Sequence, residues 1–113
     1  MEAEKRKDAR VPGYAKAVLV DGQVPGYIRD LSLSGCLVAF LQPPRVGVGD
    51  VLTIQVIAEH DPSILPFHIR LRVRRLIEDP PWHSVGAQIE RHVDAAEEQS
   101  FGKLVSYYSG ADA

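Results

Sequence analysis

Cysteine is almost missing: Cys36 is the single one in 113 residues. No intramolecular disulfide can form, so nothing points to an oxidising compartment and a cytoplasmic location is expected. Long hydrophobic runs are missing too. No apolar stretch approaches the roughly 18 residues that a bilayer span needs, and Met1-Glu2-Ala3-Glu4-Lys5 has none of a signal peptide's hydrophobic character. No membrane insertion is expected. An excess of positive charge is also lacking, with 13 Lys and Arg against 15 Asp and Glu and a net charge of −2. That balance disfavours a nucleic-acid binder held on by bulk charge, so any anion site must be local. His60, His68, His83 and His92 are scattered singly, and none has a second His or Cys at ligand spacing, so no metal is expected. Ser32 and Ser34 lack a Gly-x-Ser-x-Gly context, no glycine loop of the Walker or dinucleotide type occurs, and nothing nominates a histidine as a base. The expectation is a binding protein, not an enzyme.

What is present starts with Asp30-Leu31-Ser32-Leu33-Ser34-Gly35, which sets a carboxylate, two hydroxyls and a glycine between strand-like runs. Asp30 can only accept hydrogen bonds at neutral pH, whereas Ser32 and Ser34 both donate and accept. Together they can read an edge rich in N–H donors and also bond an anionic oxygen. Gly35 suits a positive φ, or a close approach by a ligand or another backbone. Ordinary turns are built from the same residue types, so the hexapeptide alone leaves both readings open.

Residues 1–12 read as a charged, mobile arm in which Arg6 and Arg10 stand four apart, close enough to grip one compact anion. The residues 13–92 read as strands. Tyr14 to Val20 alternates, Asp21-Gly22 predicts a hairpin with a type I′ turn, and Val24 to Asp30 returns with Pro25 and Gly26 suggesting an edge or bulged start. Cys36 to Phe40 is a short apolar run in which the thiol is expected to be a buried small hydrophobe. A loop rich in proline and glycine covers 42–50, and Val51 to Ala58 alternates cleanly. Phe67, Ile69, Leu71 and Val73 alternate with His68, Arg70, Arg72 and Arg74, and the doublet Arg74-Arg75 breaks the period, predicting a bulge. The arginines read as a solvated outer face. Asp79-Pro80-Pro81 turns the chain, and Trp82 to Glu90 is the last strand, with Trp82 fitting either a stacking platform or a cap on the core.

From residue 93 to 109 the period changes. Phe101, Leu104, Val105 and Tyr108 fall at i, i+3, i+4 and i+7, and Asp94 with Glu97 has capping-box spacing, which predicts one amphipathic helix over Ala95 to Tyr108. Six strands and one closing helix imply a mainly β fold, a small six-stranded antiparallel barrel with a C-terminal helix.

Arg6-Lys7-Asp8-Ala9-Arg10, followed about twenty residues later by Asp30-x-Ser32-x-x-Gly35, resembles the RxxxR and (D/N)xSxxG motifs of the PilZ domain family. The resemblance covers nearly the whole chain. It implies a receptor for the bacterial second messenger cyclic di-GMP, bound by Arg6, Arg10, Asp30, Ser32 and Gly35, with Lys5 and Ser34 as further contacts and no other cofactor. Arginine forks suit phosphate oxygens or the O6/N7 edge of guanine, and a carboxylate suits the N1 and N2 donors on guanine's opposite edge. The resemblance further implies that the arm folds over the ligand and that an unidentified protein partner reads the result. It implies as well that a basic residue at the position of Lys5 favours a stacked pair of ligands over one. Two alternatives are a ligand-independent adaptor of the same fold and, less favoured, a barrel that binds single-stranded nucleic acid.

Overall fold

Strands with one apolar face must bury it, and here they do so by curling a single sheet onto itself. The computed structural model describes residues 14–92 and 95–110. Lys5, Arg6, Arg10 and Asp94 therefore lie outside the described residues. The elements are β1 (Lys16–Leu19), β2 (Val24–Leu31), β3 (Gly35–Phe40), β4 (Val51–Ile57), β5 (Phe67–Asp79), β6 (Trp82–His92) and α1 (Ala95–Ser109). The strands form a closed barrel in the order β1-β2-β3-β6-β5-β4, every pair antiparallel. Closure rests on short β1, where Lys16 faces Tyr27 on one side and Ile57 on the other. The expected six-stranded barrel with one terminal helix is what the chain forms.

Alternate residues point inward, as the two-residue period requires. Ile28, Val38, Ile54, Val56, Phe67, Ile69, Leu71, Val73 and Val85 are fully buried with Phe40, and Cys36 is buried with them. Each such side chain contributes about 1.5–3 kcal/mol relative to exposure. Helix α1 lies against β2, β5 and β6 and buries Phe101 and Leu104. The Phe101 ring meets Phe67 edge-on at 6.1 Å, so the predicted helical face is the one used. In the first turn Glu97 accepts the His68 backbone N–H at 3.0 Å, tying the helix to β5. The last turn ends at Gly110, whose φ of 76° permits its N–H to reach the Tyr107 carbonyl at 3.2 Å.

Local expectations fare unevenly. The Asp21-Gly22 hairpin exists, but Leu19 pairs with Val24, so four residues connect the strands. Positive φ falls at Gly22 and Gln23, not at Asp21, so a type I′ turn centred on Asp21-Gly22 is excluded. Pro25 and Gly26 mark neither an edge nor a bulge. Gly26 is flanked by Ala17 and Phe40, and a Cβ there would stand 2.5 Å from the Ala39 carbonyl oxygen, so the glycine serves a close strand approach. The irregularity in β2 comes later, at Arg29, which is skipped between the pairs Ile28/Val38 and Asp30/Leu37. The expected bulge in β5 is present at Arg74, between the pairs Val73/Ala87 and Arg75/Gly86. Trp82 is partly buried and meets Tyr27 edge-on, with ring centroids 6.2 Å apart.

Candidate functional site

A tight turn brings the hexapeptide's polar groups together. Leu31 pairs with Cys36, and the Ser32 N–H donates to the Gly35 carbonyl at 2.9 Å, leaving Leu33 and Ser34 at the tip. The Ser32 hydroxyl accepts the N–H groups of Ser34 and Gly35 at 3.4 and 3.2 Å and lies 3.3 Å from the Gly35 carbonyl. Ser32 therefore shapes the turn before it meets any ligand. These contacts are long, so the hydroxyl can be re-partnered at modest cost.

Asp30 sits at the last outward position of β2, exposed, with Oδ1 accepting its neighbour's N–H from Leu31 at 3.0 Å. Its Oδ2 has no hydrogen bond among the described residues. Gly35 is not at positive φ. Instead a Cβ there would stand 3.0 Å from the Ala87 carbonyl oxygen, so the close-approach reading of this glycine is the one the fold uses. Behind the turn, burial followed by the nearby Asp30 carboxylate pushes the Cys36 thiol up to about 12, which makes it inert as a nucleophile at neutral pH.

Asp30, Ser32, Ser34 and Gly35 line an open depression of about 370 Å³, whose far wall is Arg74, Arg75 and Gln88. Arg70 and Arg74 are exposed and Arg72 is partly so, as expected of a solvated outer face, and Arg74 also lines the depression. The bulge at Arg74 removes it from the register of the other two. Arg72 is already committed, with Nε on the Glu90 carboxylate at 3.0 Å and Nη1 on the Gly49 carbonyl at 3.0 Å. Arg74 instead directs Nε and Nη2 at the amide oxygen of Gln88. Gly86 gives Arg75 room, since a Cβ there would stand 3.0 Å from Arg75 Cγ.

A larger opening of about 1010 Å³ lies around Val24, at the other end of β2, between the 20–23 turn and the 42–50 loop. It contains none of the hexapeptide residues, and its Asp50 already accepts the Gly47 N–H at 2.8 Å.

Residues 3–107 match the sequence profile of the PilZ domain, a span that takes in both motifs and the barrel. The chain belongs to the PilZ family. PilZ domains are generally receptors for cyclic di-GMP, a binding family and not a catalytic one. No curated protein sequence shows a significant match.

In this PilZ domain, sequence reasoning misses Arg74 and Gln88 as members of the depression, and also the pairing of Arg29 with Tyr14. The Arg29 guanidinium lies over the Tyr14 ring, 5.6 Å from its centroid. The doublet that breaks the period at Arg74-Arg75 is the available signal for the first pair. The second pair leaves no trace, because the β2 bulge has no sequence marker.

Proposed function

We propose that this protein is a cyclic di-GMP receptor in which Arg6 and Arg10 close over a ligand seated against Asp30, Ser32, Ser34 and Gly35, with Lys5 adding charge at the rim. One observation carries this reading. The chain enters the barrel at Tyr14, directly beneath Arg29, and Arg29 precedes Asp30. Arg10 is four residues before Tyr14, so its Cα lies within about 14 Å of Tyr14 however the intervening chain runs. In the bound state we propose, that short tether lets the Arg10 guanidinium close over Asp30.

The chemistry of the two halves is complementary. Asp30 supplies an acceptor for the N1 and N2 donors of guanine, and the arm supplies cations for phosphate or for the O6/N7 edge. Binding fixes the arm against the barrel, which changes the surface that a protein partner meets. Fixing it consumes part of the interaction energy.

Calorimetric titration with cyclic di-GMP tests the reading and counts ligands per chain. Asp30→Ala and Arg10→Ala are each expected to abolish measurable binding while the thermal midpoint of the free protein barely moves, since Asp30 is exposed. Unchanged affinity in either variant removes that residue from the site, and no binding by the unmodified chain removes the function.

A further inference from the structure

The far wall of the depression supplies something that neither motif contains. Arg74 is the one residue left over by the β5 bulge, and it points into the same depression as Asp30. Its guanidinium is oriented by two hydrogen bonds to a single neutral acceptor, the Gln88 amide oxygen, and Gln88 is itself the cross-strand partner of Gly35. A neutral partner fixes the direction of a cation without cancelling its charge. Arg72 provides the internal contrast, because its carboxylate partner Glu90 does cancel it. Among the described residues Arg74 makes no ion pair. An exposed arginine held in place, uncompensated, opposite an acidic acceptor suits a ligand with donors at one end and an anion at the other.

Resting on the receptor reading above, we propose that Arg74 binds a phosphate of the nucleotide from the barrel side, with Gln88 as its positioning residue. The barrel then holds both kinds of ligand group: guanine donors at Asp30, phosphate at Arg74. Arg75, whose stem lies along Gly86, supports the same positive wall.

Titration of the full chain with cyclic di-GMP at two ionic strengths tests this. Arg74→Gln keeps length and removes charge, and it is expected to weaken binding by about tenfold or more and to flatten the dependence on salt. Arg72→Gln is expected to change affinity less than about twofold, because that charge is already neutralised. Arg74 is exposed, so the thermal midpoint of its variant stays near that of the parent. Equal affinity for parent and Arg74→Gln, with Asp30→Ala abolishing binding, overturns the assignment and leaves the receptor reading intact. A loss of affinity with unchanged salt dependence moves the contact to a guanine edge and overturns the phosphate assignment. If the parent chain itself binds no cyclic di-GMP, both readings fall together.

Discussion

Cys36 illustrates how a residue can sit beside a candidate site without lending it any chemistry. It is paired with Leu31 at the foot of the hexapeptide turn, yet its thiol is buried and its ionisation is opposed first by burial and then by Asp30. The physical consequence is a pH dependence of stability. The thiol's ordinary value is 9.0 and the folded value about 12, so the folded state keeps its proton where the unfolded state has lost it. Stability from this source is complete below pH 9, and it falls by about 1.4 kcal/mol per pH unit as pH rises from there toward the folded value. Denaturant unfolding of the parent and of Cys36→Ser between pH 8 and 10.5 checks this. The serine variant should lack that increment of alkaline destabilisation, and parallel pH profiles for the two proteins would show that the thiol is not buried as described. At the same scale, the roles of Ser32 and Gly35 were legible as alternatives only. Their residue types allow a turn, a close approach or a ligand contact, and the neighbours that decide, Ala87 above all, arrive from β6, some fifty residues on.

At the scale of elements, periodicity was sufficient and turn chemistry was not. β4, β5, β6 and α1 follow from alternation and from the helical spacing of Phe101, Leu104, Val105 and Tyr108, because burial selects those faces whatever the surrounding chain does. The β1-β2 connection departs from its Asp-Gly signal, since barrel register lets Leu19 meet Val24 and leaves four residues to bridge the gap. The β2 bulge is invisible for a similar reason: it answers the curvature of closure, a property of all strands together. Near its C-terminal end the helix is fastened to the barrel through Tyr108. The Tyr108 hydroxyl accepts the Ala15 N–H at 2.9 Å and donates to the Ile28 carbonyl, and burial raises its ionisation well above the ordinary value. Tyr108→Phe removes both bonds and leaves a buried N–H without its partner. A loss of about 1–3 kcal/mol in denaturant unfolding is expected, with cyclic di-GMP affinity little changed. A variant as stable as the parent would mean that water or relaxation replaces the hydroxyl.

At the scale of the molecule, the closed barrel carries the Asp30 side of the site proposed above. Its sheet is closed, so β1 presents no open edge for a partner strand, and the described residues include no helix long and apolar enough to cross a membrane. Both motifs were legible because each is short and local. The Arg74 wall opposite Asp30 was not, since it takes a strand order of β2-β3-β6-β5 to bring residues 30–35 up against residues 74–88.

The stacking of Tyr14 on Tyr108, rings 6.5 Å apart and nearly parallel, makes the first and last parts of the described chain spatial neighbours. Chain connectivity is then separable from shape. A circular permutant in which a short flexible linker joins residue 110 to residue 14, with new ends cut between Asp21 and Gly22, preserves every strand pairing while detaching the arginine arm. Such a permutant should fold, showing the parent's circular dichroism and a cooperative melt, and should bind cyclic di-GMP only weakly. Tight binding by the armless permutant would place the whole site on the barrel.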